Sequence, residues 1–119
     1  MPAKPSPSSK RRPRVVLILS AYPRRPAAER AARLLVREGL AACATVQPGA
    51  RAFYRWKGRD VAEATTLLWA KTTAAAARRA LRAIRESHPD QVPEILVLPV
   101  AAGEPRYLAW VAREVGRRR

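Results

Sequence analysis

The stretch His88 to Pro99, HPDQVPEILVLP, constrains this chain more than any other. Pro89 and Pro93 each lack a backbone N–H and fix φ, so no helix runs through them. Ser87 to Glu94 is therefore a forced turn. Ile95 to Val100, apolar throughout without alternation, reads as a strand buried on both faces. The only histidine stands at the head of the turn and Glu94 at the mouth of the strand, so chemistry in this chain would gather at this corner. A structural account fits the same residues: two prolines make a rigid helix-to-strand connection and His88 caps the preceding helix.

The remaining elements follow from periodicity. Val15 to Leu19 is a β-branched and leucine run typical of a central strand. Pro26 suits the first turn of a helix, where Glu29 complements the dipole. Ala28, Ala31, Ala32 and Leu35 form its apolar face, and Gly39 ends it. Leu40 to Val46 is a second strand. It bends at Pro48-Gly49 and resumes to Trp56, with Ala52, Tyr54 and Trp56 on one face and Arg51, Phe53, Arg55 and Lys57 on the other. After a turn at Gly58 to Asp60, Val61 to Thr72 completes a long hairpin whose aromatic arm needs a partner. Thr72 or Thr73 caps a helix over 74–87, striped by Ala77, Leu81 and Ile84. A last helix, Pro105 to Val115, buries Leu108, Val111 and Val115. The order β-α-β-β-α-β plus a terminal helix predicts an α+β, ferredoxin-like sandwich: an antiparallel sheet with helices on one face and the other face open to a ligand, a nucleic acid or another subunit.

Length bounds the chain to one domain, expected over residues 15–116 between basic tails at 1–14 and 117–119, the first of them disordered. The formal charge of +15 is uneven: five basic residues fall within 1–14 and three at the C-terminus, leaving about +7 on the body. Such a balance attracts polyanions in a salt-sensitive way, and the tails suit non-specific nucleic-acid contact; an arginine-rich solvated surface accounts for the charge equally well. One cysteine excludes an intramolecular disulfide and a CxxC metal site. With neither a membrane-length apolar stretch nor a secretory signal, the expected location is cytoplasmic.

Several short motifs occur in order: LAAC at Leu40 to Cys43, the Pro-Gly bend, Tyr54-x-Trp56-x-Gly58, Leu68-x-x-Lys71-Thr72, His88-Pro89, Val92-Pro93-Glu94-Ile95 and Tyr107-Leu108-x-Trp110. Together, over about residues 15 to 113, they resemble the divalent-cation tolerance family, CutA. The resemblance implies a stable homotrimer in which sheet edges and the hairpin arm pack between protomers. It also implies a non-enzymatic role in the response to metal ions, with copper binding proposed for some members.

The same resemblance implies a metal-associated corner at His88 and an intersubunit cleft lined by Cys43, Tyr54, Trp56, Lys71 and Glu94, beside which Trp110 is expected as interface packing. Where some members carry a cysteine and a second histidine, this chain has Leu19 and Ser87, which removes the soft ligands that favour copper. Asp90 adds an oxygen ligand, so His88 and Asp90 form the candidate site for weak divalent-ion binding. Lys71, on an apolar strand, needs an anionic partner, and Glu94 is the natural candidate. A ligand-sensing trimer similar to PII-like signalling proteins is the alternative. No Ser-His-Asp set or carboxylate pair suggests an enzyme, and the third-strand aromatic signature of RNA-recognition domains is absent.

Overall fold

The computed structural model describes residues 14–117. Except for Arg14 and Arg117, the expected basic tails lie outside the described residues. The elements are β1 (Val15–Tyr22), α1 (Arg25–Arg37), β2 (Cys43–Trp56), β3 (Arg59–Thr73), α2 (Ala74–Ser87), β4 (Ile95–Pro99) and α3 (Pro105–Glu114). The strands form one antiparallel sheet in the order β2-β3-β1-β4, the α+β arrangement expected from the element order.

Alternation sorts the two sheet faces. Val16, Ile18, Ser20 and Tyr22 of β1 and Thr66, Leu68, Ala70 and Thr72 of β3 are buried, while the residues between them on those stretches are only partly covered. The buried set packs against Ala28, Ala31, Ala32 and Leu35 of α1 and Ala80 and Ile84 of α2. Alanine at the contact positions lets the helices approach closely, so a chain poor in large apolar residues still builds a core. α3 lies against β3 and β1, and its buried Val111 stands outside that cluster, which puts α3 on the opposite face. Val111 is its only fully buried side chain; Leu108 and Val115 are half-buried rather than buried as expected.

Local chemistry sets the element ends. Thr73, not Thr72, caps α2, its hydroxyl accepting from the Ala76 amide at 3.3 Å. Thr72 instead donates to the Leu40 carbonyl at 2.7 Å. Glu104 caps α3 by accepting from the amides of Arg106 and Tyr107 at 2.6 and 3.2 Å. Glu29 does not serve the first turn of α1; it sits one turn further in and pairs with Arg25 at 3.7 Å. β2 begins at Cys43 rather than Leu40, because the amides of Leu40 and Ala41 turn back to the Leu35 carbonyl at 2.8 and 3.1 Å.

β4 departs from expectation. The sheet order leaves it at an edge with β1 as its only neighbour, and Leu96, Val97 and Leu98 are 52%, 41% and 38% exposed. α2 packs near β4 from the core side, and Leu96 and Leu98 on the opposite side stay exposed among the described residues. The unbroken apolar run therefore does not mark a strand buried on both faces of one subunit. Among the described residues, no helix is long and apolar enough to cross a membrane.

Candidate functional site

At the proline corner His88 is buried, 9% exposed, with its ring stacked on Tyr22 at a centroid distance of 4.2 Å and 23° between planes. Nδ1 accepts from the Asp90 amide at 3.1 Å, and Nε2 lies 2.8 Å from the Ala21 carbonyl oxygen. An imidazole that accepts at Nδ1 and faces a carbonyl at Nε2 carries its proton on Nε2. Both nitrogens are then committed. His88 and Asp90 do meet as expected, but through the Asp90 backbone rather than its carboxylate.

Ser87, where a second imidazole would be needed, donates to the Ala83 carbonyl at 3.0 Å. Among the described residues no group of three or more His, Cys, Asp or Glu could hold a metal ion. Within one chain the expected His88–Asp90 pair therefore offers an imidazole whose two nitrogens already have partners. His88 instead ties the Asp90 turn to the end of β1.

The second cluster forms on the sheet face away from α1 and α2. Register places Lys71 of β3 between Cys43 of β2 and Leu17 of β1. Lys71 Nζ donates to Thr45 Oγ1 at 2.6 Å and lies 3.9 Å from Cys43 Sγ. Cys43 Sγ is in turn 4.0 Å from Thr45 Oγ1. Tyr107 of α3 borders the cluster: partial burial pushes its phenol pKa up, and the nearby Cys43 adds to this. Trp110 packs against Tyr107 with ring centroids 5.7 Å apart.

Among the described residues Lys71 has no carboxylate partner. Glu94 is not that partner within the chain. It precedes Ile95, which faces Ser20, whereas Lys71 faces Leu17 further along β1. The Glu94 carbonyl accepts from the Ser20 hydroxyl at 2.8 Å. An ammonium beside a hydroxyl, a thiol and a phenol is a set suited to holding a small anion.

Tyr54 and Trp56 lie in the hairpin arm, roughly 35 to 45 Å along β2 from Cys43 at about 3.3 Å per residue. The Tyr54 hydroxyl donates to Glu63 Oε1 at 2.7 Å, which raises its pKa, and Trp56 is 52% exposed. Pairing passes from Gln47–Leu67 to Ala50–Thr65, so β2 holds one extra residue at Pro48-Gly49. That bulge reverses the parity of β2 and keeps Tyr54 and Trp56 on the sheet face of Cys43 and Lys71.

One chain therefore assembles Cys43, Lys71 and, through Tyr107, Trp110, while Tyr54, Trp56 and Glu94 stand apart. Thr45 and Tyr107 are neighbours of this cluster that the sequence alone does not mark as site residues. A signal for each is nevertheless present: Thr45 follows Cys43 by two in a strand, and Tyr107 precedes Trp110 by three in a helix.

This combination of fold and motifs has close counterparts. The family described as CutA1 divalent ion tolerance protein matches residues 16–114. The chain belongs to the CutA1 family. A relative named divalent-cation tolerance protein CutA from Thermus thermophilus is 38% identical over 100 residues, covering 84% of this chain and 97% of the relative. One of the same name from Citrobacter koseri is 38% identical over 99 residues, covering 83% and 86%. Among solved structures, CutA from Xylella fastidiosa superposes with a TM-score of 0.82 at 40% identity, covering 85% of this chain and 97% of that one. The CutA1 match spans all seven elements, so the corner at His88 and the cluster at Lys71 both belong to the shared domain.

Proposed function

We propose that this chain serves divalent-cation tolerance as a non-enzymatic, cytoplasmic homotrimer. The names of its CutA relatives support the cation role. The observation that carries the assembly is the distribution of apolar surface: Phe53, Trp56, Leu96 and Leu98 are exposed on the hairpin arm and the edge strand. A monomer gains nothing from such surface, and a head-to-tail contact between one protomer's arm and the next protomer's β4 edge closes a ring. Such a contact would also bring Tyr54 and Trp56 of one subunit toward the Lys71 cluster of another, completing a cleft that no single chain forms.

The cation role is tested in cells lacking the protein and challenged with copper(II). Wild type is expected to restore tolerance, whereas Leu96→Asp, which places a charge in the assembly surface, is expected to sediment as a monomer and fail to restore it. Failure of wild type to change tolerance overturns the cation role, and a monomeric wild type overturns the trimer. Because both His88 nitrogens are committed, calorimetric titration of copper(II) is expected to give equal heats for wild type and His88→Ala. Saturable heat lost only in the variant would restore His88 as a ligand.

A second reading is favoured by one observation, the Lys71 ammonium without a carboxylate partner beside Thr45. The cleft then senses a small anionic metabolite, as in PII-like trimers. Stabilisation of the wild-type trimer by a panel of anionic metabolites, lost in Lys71→Ala, supports it, and no shift across the panel removes it.

A further inference from the structure

Arginine dominates the outer surface of the helix layer. α1 and α2 together carry eight arginines against two glutamates, and one of those, Glu29, is paired with Arg25. Arg30, Arg33 and Arg37 follow one another at three- and four-residue spacing directly opposite the buried face of α1. Arg78, Arg82 and Arg85 do the same on α2. All six are exposed, and among the described residues none makes an ion pair. Like charges at these spacings oppose the helices that carry them. An anionic partner would remove that opposition.

We infer that the arginine face of α1 and α2 is a docking surface for the phosphate backbone of a nucleic-acid duplex. The two helices lie side by side on one sheet face and run antiparallel, since α1 joins the parallel strands β1 and β2 and α2 joins β3 and β4, which run the other way. Adjacent helix axes are about 8–10 Å apart. Within each row, successive arginines rise by about 4.5 or 6 Å. Two such rows match a ligand with phosphates on both sides of a groove about 12 Å wide and one charge per about 1.7 Å of axis. Guanidinium, unlike ammonium, forks onto phosphate oxygens.

Other polyanions fit less well. Docking on an anionic membrane calls for large apolar side chains beside the cations, and the exposed large apolar residues all lie on the arm, β4, α3 or the proline corner. Single strands call for aromatic stacking platforms, and α1 and α2 carry no aromatic residue. The same distribution keeps the helix layer free in an oligomer, because the surface that needs cover is elsewhere.

The test uses full-length protein and a 20-base-pair DNA duplex of arbitrary sequence, with affinity read by fluorescence anisotropy between 50 and 200 mM salt. Wild type is expected to bind with a steep salt dependence. Arg78→Gln/Arg82→Gln/Arg85→Gln is expected to flatten the log–log salt slope by about 0.9 for each phosphate no longer neutralised, as is Arg30→Gln/Arg33→Gln/Arg37→Gln. Both variants are expected to keep or raise Tm, since they relieve repulsion, and having two on separate helices keeps the test decisive if one fails to fold. A tail variant, Lys10→Gln/Arg11→Gln/Arg12→Gln, separates this surface from the N-terminal arm.

Retention of binding by the tail variant and its loss in both helix variants supports the surface. Unchanged slopes in the helix variants, or loss in the tail variant alone, overturn it. So does binding to phosphatidylglycerol vesicles without binding to the duplex.

Discussion

The imidazole of His88 lies stacked on the ring of Tyr22, 4.2 Å between centroids, and bridges the Ala21 carbonyl to the Asp90 amide. This joins the end of β1 to the turn that launches β4, two segments far apart in the chain. Replacing His88 by Ala removes the stack and strands two backbone groups. A loss of roughly 2–4 kcal/mol is expected from those terms. Urea denaturation of His88→Ala beside wild type, at fixed protein concentration, measures it.

Tyr22 is 1% exposed, and among the described residues its hydroxyl has no hydrogen-bond partner. Burial pushes its pKa up to about 12, and the nearby Ser20 offsets this only in part. The Ser20 proton is spent on the Glu94 carbonyl, and Ser20 is not placed to satisfy the phenol. The unfolded phenol ionises near pH 10, so this group's share of stability is intact below pH 10 and lost as pH rises through about 12. Two pKa units correspond to about 2.7 kcal/mol. Tyr22→Phe is expected to be neutral or slightly stabilising at pH 7 and to flatten the alkaline fall in stability. Denaturation curves of both proteins between pH 8 and 12 test the sign.

Gly39 holds φ at +70°, and a Cβ there would sit 2.7 Å from the Arg117 carbonyl oxygen. The same glycine accepts from the Gly116 amide at 2.8 Å, tying the end of α3 to the end of α1. Gly39→Ala combines left-handed strain of about 1–2 kcal/mol with a backbone clash. A fall in Tm of more than about 5 °C is expected for a domain of this size.

The bulge at Pro48-Gly49 gives β2 one residue more than β3 between Gln47 and Ala50. Deleting Gly49 removes the extra residue and leaves Tyr54 opposite Val61 on the same face, but it takes away the bend that the bulge gives the arm. The shortened protein is expected to keep its helical circular dichroism signal and lose the trimer. Sedimentation velocity distinguishes this from global unfolding.

Lys71 touches Thr45 and Cys43 but has no carboxylate partner among the described residues, and it is only partly covered. Lys71→Met keeps the length of the side chain and removes the charge. Stability is expected to change by less than about 1 kcal/mol, because no buried ion pair is broken. A loss of several kcal/mol would show that the ammonium has a partner in the assembled protein, with Glu94 of another subunit the first to test by a double-mutant cycle.

Much of the fold was legible because periodicity is a local property. The alanine face of α1, a threonine cap at 72 or 73, the extent of α2 and the Pro-Gly interruption of β2 are all written in residue spacing. The apolar run of β4 misled for a physical reason: absence of alternation reports that both faces are to be covered, without saying by which chain. At the site, the sequence pointed to Cys43, Lys71 and His88 but not to their partners. Within one chain Lys71 meets Thr45 rather than Glu94 because register, not residue type, sets which strand neighbours touch.

The sequence by itself determined the order of the elements, the residues that α1 turns inward, the family and the excess of positive charge. Tertiary structure alone decided that β4 lies at an edge, that the arginines of two separate helices form one surface, and that both nitrogens of His88 are consumed in holding the corner. The division follows from the range of the forces. Backbone preference and side-chain period act over a few residues, whereas sheet order, helix pairing and the fate of each polar atom are set by closing loops and by satisfying every buried donor and acceptor at once.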